Sequence, residues 1–189
     1  MPIAQELLKP VAVGIIPTDT VYGIVARAAD SAATVRLYNL KARETKPGTV
    51  IAADLEQLEA LGLKHRYLKA VEQFWPGAVS VVIPVSNPEL EYLHQGKMSL
   101  AVRIPNDAKL QKLLRQTGPL ITSSANLPGH PVSTTINQAK AVFGDKVDFY
   151  EDGGDLSNHQ PSTIIRIVDD AVEVLRPGAV KIDDATMEL

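Results

Sequence analysis

Short aliphatic and β-branched runs, each broken within a residue or two by proline, glycine or a polar cluster, constrain this chain more than any other feature. They occupy residues 11–16, 22–28, 50–53, 79–85, 100–104, 119–122, 163–168 and 172–175. Runs of this length and composition read as strands, half-buried where they alternate and fully buried where they do not. Helical spacing fills the gaps. Asp30 and Ser31 can cap a helix with an apolar stripe of Val35, Leu37, Tyr38 and Leu40, with Lys41 in its last turn and Arg43 just beyond. Further helices are expected at 54–61, 67–75 (stopped by Pro76-Gly77), 106–116 and 135–143 (ended by Gly144). Strands alternating with helices predict an α/β domain on a twisted, mixed sheet.

The length, 189 residues, suits one domain with a sizeable core. Residues 1–181 are read as that domain and 182–189 as a loose tail. A formal net charge of −3 lacks the basic excess of a protein that grips nucleic acid mainly through phosphates, so any positive patch must be local. The absence of cysteine excludes disulfides, thiolate nucleophiles and cysteine-ligated metals. Met1 to Glu6 has no basic segment followed by an apolar one, and no later run reaches the roughly 18 apolar residues of a membrane span. The expectation is a cytoplasmic protein with no membrane partner.

Four polar cassettes stand at the ends of apolar runs: Pro17-Thr18-Asp19-Thr20-Val21-Tyr22-Gly23, Lys41-Ala42-Arg43, Ser123-Ser124-Ala125-Asn126 and Pro161-Ser162-Thr163. Strand ends that deliver hydroxyls, an amide and fixed cations to one place suit an anionic or amino-acid ligand. Each cassette also has a plainer reading. Thr18, Asp19 and Thr20 are ordinary turn formers. Lys41 complements a helix dipole, and Arg43 and Lys46 beside Pro47-Gly48 could be a solvated basic loop. Ser124 and Asn126 could cap a helix or a turn, and Arg103 could lie on a strand surface or clamp a carboxylate with its planar fork. Ser162 and Thr163 could simply begin a strand, and Arg176 could simply be exposed.

Neither common glycine-rich phosphate cradle is present, so a nucleotide site here would have another design. His65, His94, His130 and His159 are scattered without a zinc-ligand spacing. No G-x-S-x-G elbow marks a serine hydrolase.

Taken in order, P-T-D-T-V-Y-G at 17–23, L-K-A-R at 40–43, W-P-G at 75–77, S-L-A-V-R at 99–103, S-A-N at 124–126, P-S-T-I-I at 161–165 and R-P-G at 176–178 resemble the YrdC/TsaC family, the L-threonylcarbamoyl-adenylate synthases of tRNA modification. The resemblance implies a sheet flanked by helices around a concave, locally positive cleft. It implies a nucleotidyl transfer from ATP to the carbamate formed from L-threonine and bicarbonate-derived carbon dioxide, with magnesium held mainly by the triphosphate and no protein metal site. Thr20, Arg103, Ser124 and Ser162 match the threonine contacts. Arg43, Lys46, Ser99, Asn126, Thr134 and Arg176 match the ATP contacts, and Lys41 and Arg43 the charge-stabilising pair. Separate threonylcarbamoyl-transfer proteins would carry the product to tRNA, with weak direct RNA binding open.

The chain departs from the family where it has Glu44 and then Pro47-Gly48-Thr49, one residue short. Ile51 stands where some members have a threonine-contacting histidine, and Arg166 where some have an aspartate. Two other readings stand beside the synthase. One is a non-catalytic RNA-binding module, and the other a carbamoyl-transfer domain of the hydrogenase-maturation type.

Overall fold

The computed structural model describes residues 2–42 and 46–182. In chain order its strands are β1 (Gly14–Pro17), β2 (Tyr22–Arg27), β3 (Thr49–Ile51), β4 (Val79–Pro84), β5 (Ser99–Arg103), β6 (Leu120–Ser124), β7 (Phe149–Tyr150), β8 (Thr163–Val168) and β9 (Ala171–Arg176). They form one sheet in the order β7-β1-β2-β6-β3-β5-β4-β8-β9. The β1/β7, β3/β5 and β4/β8 pairs are parallel and the others antiparallel, so the sheet is mixed as its sequence predicts.

The helices are α1 (Ile3–Leu7), α2 (Ser31–Leu40), α3 (Leu55–Leu61), α4 (His65–Lys69), α5 (Glu91–His94), α6 (Ala108–Thr117) and α7 (Ile136–Phe143). Four begin on the side chain that the sequence offers. Asp30 accepts from Ala33 N, Asp54 from Gln57 N, Asp107 from Leu110 N and Thr135 from Gln138 N. Each such cap stabilises its helix by about 1 kcal/mol by satisfying an orphan backbone donor.

Strand alternation divides the apolar residues between two cores. Val13, Ile15, Ile24, Val50, Val81 and Val102 face the larger one, beneath Leu37 of α2, Leu58 of α3, Leu68 of α4, Leu93 of α5 and Phe143 of α7. Ile16, Val25, Ile51, Leu120 and Phe149 face the smaller one, covered by Leu7 of α1 and by Leu110 and Leu114 of α6. Burying a leucine such as Leu37 or Leu114 contributes about 1.5–3 kcal/mol. The smaller core reaches only from β7 across to β3. Beyond it, the same face of β5, β4 and β8 is left without a helix among the described residues.

The outcome differs from the sequence expectation in several places. The 67–75 helix is instead α4, beginning at His65 and ending at Lys69, followed by a short 3-10 turn at Glu72–Phe74. The Trp75-Pro76 peptide is cis, and Trp75 Nε1 donates to Val79 O at 2.8 Å. Val35 is 47% exposed, because α2 buries Ala33, Thr34, Leu37 and Tyr38 instead. β1 starts at Gly14, and Val11, at φ 60, lies outside extended backbone. β6 runs on to Ser124, so half of the third cassette is strand. Ile182 packs against the larger core, and the remainder of the expected tail, 183–189, lies outside the described residues.

Candidate functional site

The uncovered half of the sheet is the floor of a polar cleft. Register puts Thr122 of β6 opposite Thr49 of β3, Thr49 opposite Ala101 of β5, and Ala101 opposite Val82 of β4, one row of small side chains across four strands. Small residues there leave space above the sheet. The resulting cavity, about 720 Å³, is walled by Lys46, Lys97, Ser99, Ser124 and Arg176. Two further compartments share Ser124 with it. A recess of about 60 Å³ is lined by Thr20, Arg103, Ser162 and Arg176, and an outer basin of about 430 Å³ by Lys41, Lys46, Asn126 and Gly129.

Charge sets this cleft apart from the rest of the chain. The described residues lining its three compartments include Lys41, Lys46, Lys97, Arg103 and Arg176 and no Asp or Glu. In a chain of net charge −3 that is the local positive field an anion needs.

Lys41 caps α2 and is 2% exposed. Its Nζ donates to Ser124 O at 2.6 Å, Asn126 O at 2.5 Å and Asn126 Oδ1 at 2.8 Å. Ser124 Oγ donates to the same Oδ1 at 2.6 Å, and Asn126 Nδ2 donates to His130 O at 2.7 Å. Ser124 and Asn126 of the third cassette are therefore one network held by a buried ammonium, while the Ser123 hydroxyl is buried outside it. Arg43, expected beside Lys41, lies outside the described residues.

Arg103 ends β5 with its side chain 3% exposed, in an ion pair between its Nη1 and both oxygens of Asp19, itself 9% exposed. Asp19 sits in the loop that joins β1 to β2, whose register closes at Pro17 opposite Tyr22. Within it, Thr18 Oγ1 donates to Val21 O at 2.7 Å and accepts from Thr20 N at 3.2 Å, and it lies 3.0 Å from Thr20 Oγ1. Below the loop, Tyr22 Oη accepts from Gly153 N and donates to Gly154 O, both at 2.8 Å. Burial pushes the Tyr22 phenol up, so it remains a neutral donor.

Ser162 precedes β8, its hydroxyl 2.9 Å from that of Ser80 on β4. Arg176 Nη2 donates to Ser162 O at 2.6 Å and to Ser162 Oγ at 3.2 Å. The chain then folds back over this segment. A Cβ at Gly178 would lie 2.3 Å from Pro161 O, which is why the R-P-G sequence ends in a residue without one.

Of the expected site residues, Thr20, Lys41, Lys46, Ser99, Arg103, Ser124, Asn126, Ser162 and Arg176 line the cleft. Thr134 is not among the lining residues. It lies just before α7, where its amide and hydroxyl donate to Gln138 Oε1 at 2.8 Å and 3.1 Å. Ile51 is fully buried in the smaller core, so that position is turned toward α6. Arg166 pairs with Glu173 at 2.6 Å, each about half exposed. Sequence reasoning missed Lys97 and Thr49, which line the cleft, and the partnership of Asp19 with Arg103. Lys97 precedes β5, with Met98 at φ 55 between it and Ser99, so strand alternation gives no cue to it; the ion pair spans 84 positions and has no local signal.

A separate groove of about 380 Å³ between α1 and α6, lined by Ile3, Leu110 and Leu113 among others, holds none of the expected site residues.

Comparison with known proteins agrees with this architecture. The Sua5/YciO/YrdC family model, described as telomere recombination, matches residues 6–178. A Mycobacterium tuberculosis relative is 36% identical over 170 residues, which are 88% of this chain and 78% of the relative. Threonylcarbamoyl-AMP synthase of Pseudomonas aeruginosa is 32% identical over 165 residues, 86% of this chain and 88% of that protein. Pyrococcus abyssi Sua5, solved in complex with L-threonine, superposes with a TM-score of 0.81 at 29% identity over 93% of this chain, which spans 53% of the Sua5 chain. A family model that matches residues 6–178, with relatives at 32–36% identity over most of both chains, leaves one assignment: the chain belongs to the Sua5/YciO/YrdC family.

Proposed function

We propose that this chain is a threonylcarbamoyl-AMP synthase, a nucleotidyltransferase that makes L-threonylcarbamoyl-adenylate and pyrophosphate from L-threonine, bicarbonate-derived carbon dioxide and ATP. The observation that carries the reading is the cleft lined by five cations and no carboxylate among its described residues. The similarity to proteins named threonylcarbamoyl-AMP synthase supports the same reaction.

The chemistry asks for positioning and charge stabilisation and no covalent nucleophile. The amine of L-threonine adds to the carbon of carbon dioxide and loses a proton, giving a carbamate. A carbamate oxygen then attacks the α-phosphorus of ATP as the bond to the pyrophosphate oxygen breaks. Negative charge grows on the leaving pyrophosphate, where cations held in a partly dehydrated cleft act most strongly. Lys41 and Arg43 are assigned that role. In this reading Lys46, Ser99, Asn126, Thr134 and Arg176 receive the nucleotide with Arg43, and Thr20, Arg103, Ser124 and Ser162 receive threonine. The larger compartment, about 720 Å³, is within the range of small-molecule sites, roughly 300–1,000 Å³.

Magnesium would arrive with the nucleotide and be held by triphosphate oxygens and water. Among the described residues no three His, Asp or Glu side chains gather into a cation site. The adenylate would pass to separate proteins that modify tRNA adenosine, which puts the work in the cytoplasm. Among the described residues no helix is long and apolar enough to cross a membrane.

Pyrophosphate release from ATP by the purified protein tests the proposal. Release is expected only when L-threonine and bicarbonate are both present, and release indifferent to either would overturn it.

A further inference from the structure

We propose that Asp19 is a positioning residue of the amino-acid subsite: it holds Arg103 by Nη1 so that the Nε and Nη2 edge of the guanidinium is presented to the substrate carboxylate. The inference rests on the threonine reading above and adds a residue and a geometry to it.

A guanidinium has two forked edges, and here they are in different states. Nη1 is engaged by both oxygens of Asp19. Nε is buried and has no hydrogen-bond partner. A buried donor left unmade is costly, so an orphan at this place points to a ligand that supplies the acceptor. A carboxylate meeting Nε and Nη2 side by side makes two parallel charge-assisted bonds, the geometry that distinguishes arginine from lysine.

Asp19 could instead occupy the place of the substrate carboxylate and have to leave before threonine binds. Two observations argue against that. Asp19 is not among the residues lining the recess, whereas Arg103, Thr20 and Ser162 are, so the aspartate backs the arginine from outside. Its loop is also tied internally by Thr18 Oγ1, which bonds both Val21 O and Thr20 N between strands paired up to Pro17 and Tyr22. A side chain on so short and braced a loop is built to stay.

The test measures steady-state kinetics of Asp19→Asn and Asp19→Ala, with thermal melting to confirm folding. The amide keeps one acceptor for Nη1 and loses the charge. The expected result is a KM for L-threonine raised about 10-fold in Asp19→Asn and more in Asp19→Ala, with kcat and the KM for ATP within about 2-fold. An unchanged or lowered threonine KM in either variant would overturn the proposal, a lowered one showing the aspartate to be a competitor. Should both variants fail to fold, the wild-type protein answers through the Arg103 Nε–H resonance, identified by its loss in Arg103→Lys. It should shift on adding L-threonine and stay in place with L-threoninol, which lacks the carboxylate. A resonance indifferent to threonine, in a protein that binds threonine, overturns the role of Asp19. Wild-type protein that binds ATP but no L-threonine overturns the parent reading first, and the proposal falls with it.

Discussion

Lys41 and Asn126, 85 positions apart in the chain, are joined by two hydrogen bonds from one ammonium, to the Asn126 carbonyl and to its side-chain Oδ1. The pair ties the end of α2 to the loop after β6, across which the outer basin of the cleft opens. Lys41 thus both brings a buried positive charge to the site and fixes the side chain assigned to the nucleotide.

Replacing Lys41 with methionine removes the charge and leaves Ser124 O, Asn126 O and Asn126 Oδ1 without that donor. Ser124 O keeps Asn126 N and Asn126 Oδ1 keeps Ser124 Oγ, so the loss falls mainly on Asn126 O, and an acceptor left unmet costs about 1–3 kcal/mol. The variant is expected to melt at a lower temperature and to lose adenylate formation by at least about 100-fold. Near-normal turnover would remove Lys41 from the site.

Arg43→Ala and Arg166→Ala separate the cleft from the rest of the surface. Arg43 is assigned to the phosphates, and its loss should cut product formation about 100-fold or more. Arg166 is half exposed and paired with Glu173, where a surface ion pair contributes little, so its alanine variant should stay within about 2-fold of wild type. Comparable rates in the two variants would contradict the assignment of the second cassette.

The mixed sheet and most of its strands are legible in the sequence, because runs such as 79–85 and 100–104 are short, β-branched and sharply ended. Three elements are not. α1 and α5, of five and four residues, are too short to show helical periodicity, and β7, of two, is too short to show alternation. The site is legible as residue types in order, since three cassettes fall at strand ends and one at the end of α2. What sequence cannot supply is which polar groups satisfy one another. Asp19 reads as turn chemistry until Arg103 is found beside it, and Lys97 reads as a surface charge until the bend before β5 is seen to bring it to the cleft wall. Which half of a sheet face lacks a helix depends on where α6 packs, a tertiary matter.

Gly48 tests how closely the segment after the second cassette must approach the sheet. A Cβ there would lie 2.6 Å from the Thr122 carbonyl, a backbone atom that cannot move aside cheaply, and Gly48 N donates to Tyr38 Oη at 3.1 Å. Gly48→Ala is expected to displace the 46–48 segment and lower the melting temperature. The KM for ATP should rise more than the KM for L-threonine. Steady-state kinetics and thermal melting check this together.

Acid should unfold the protein through two carboxylates near its N-terminal segment. Burial pushes Asp148 up, but the Arg36 guanidinium and Val13 N–H outweigh it and hold the group below its ordinary 3.8. Asp30 is likewise pushed up by burial and held down on balance by the amides of Ala33 and Val11. A depressed folded pKa stabilises above the unfolded value and is lost as pH falls through the folded one. The melting temperature should therefore hold level from about pH 7 to about pH 5 and fall below about pH 4. Asp148→Asn should lower it at neutral pH and make the acid fall shallower, as thermal melts across pH would record.

The most direct test of the account is mass-spectrometric detection of the adenylate. Purified protein is incubated with ATP, magnesium, L-threonine and carbon-labelled bicarbonate, with each component omitted in turn and L-serine as competitor. Threonylcarbamoyl-adenylate carrying the label, formed only in the complete mixture, is the predicted result. A folded protein that binds ATP and L-threonine yet yields no labelled adenylate would contradict the account.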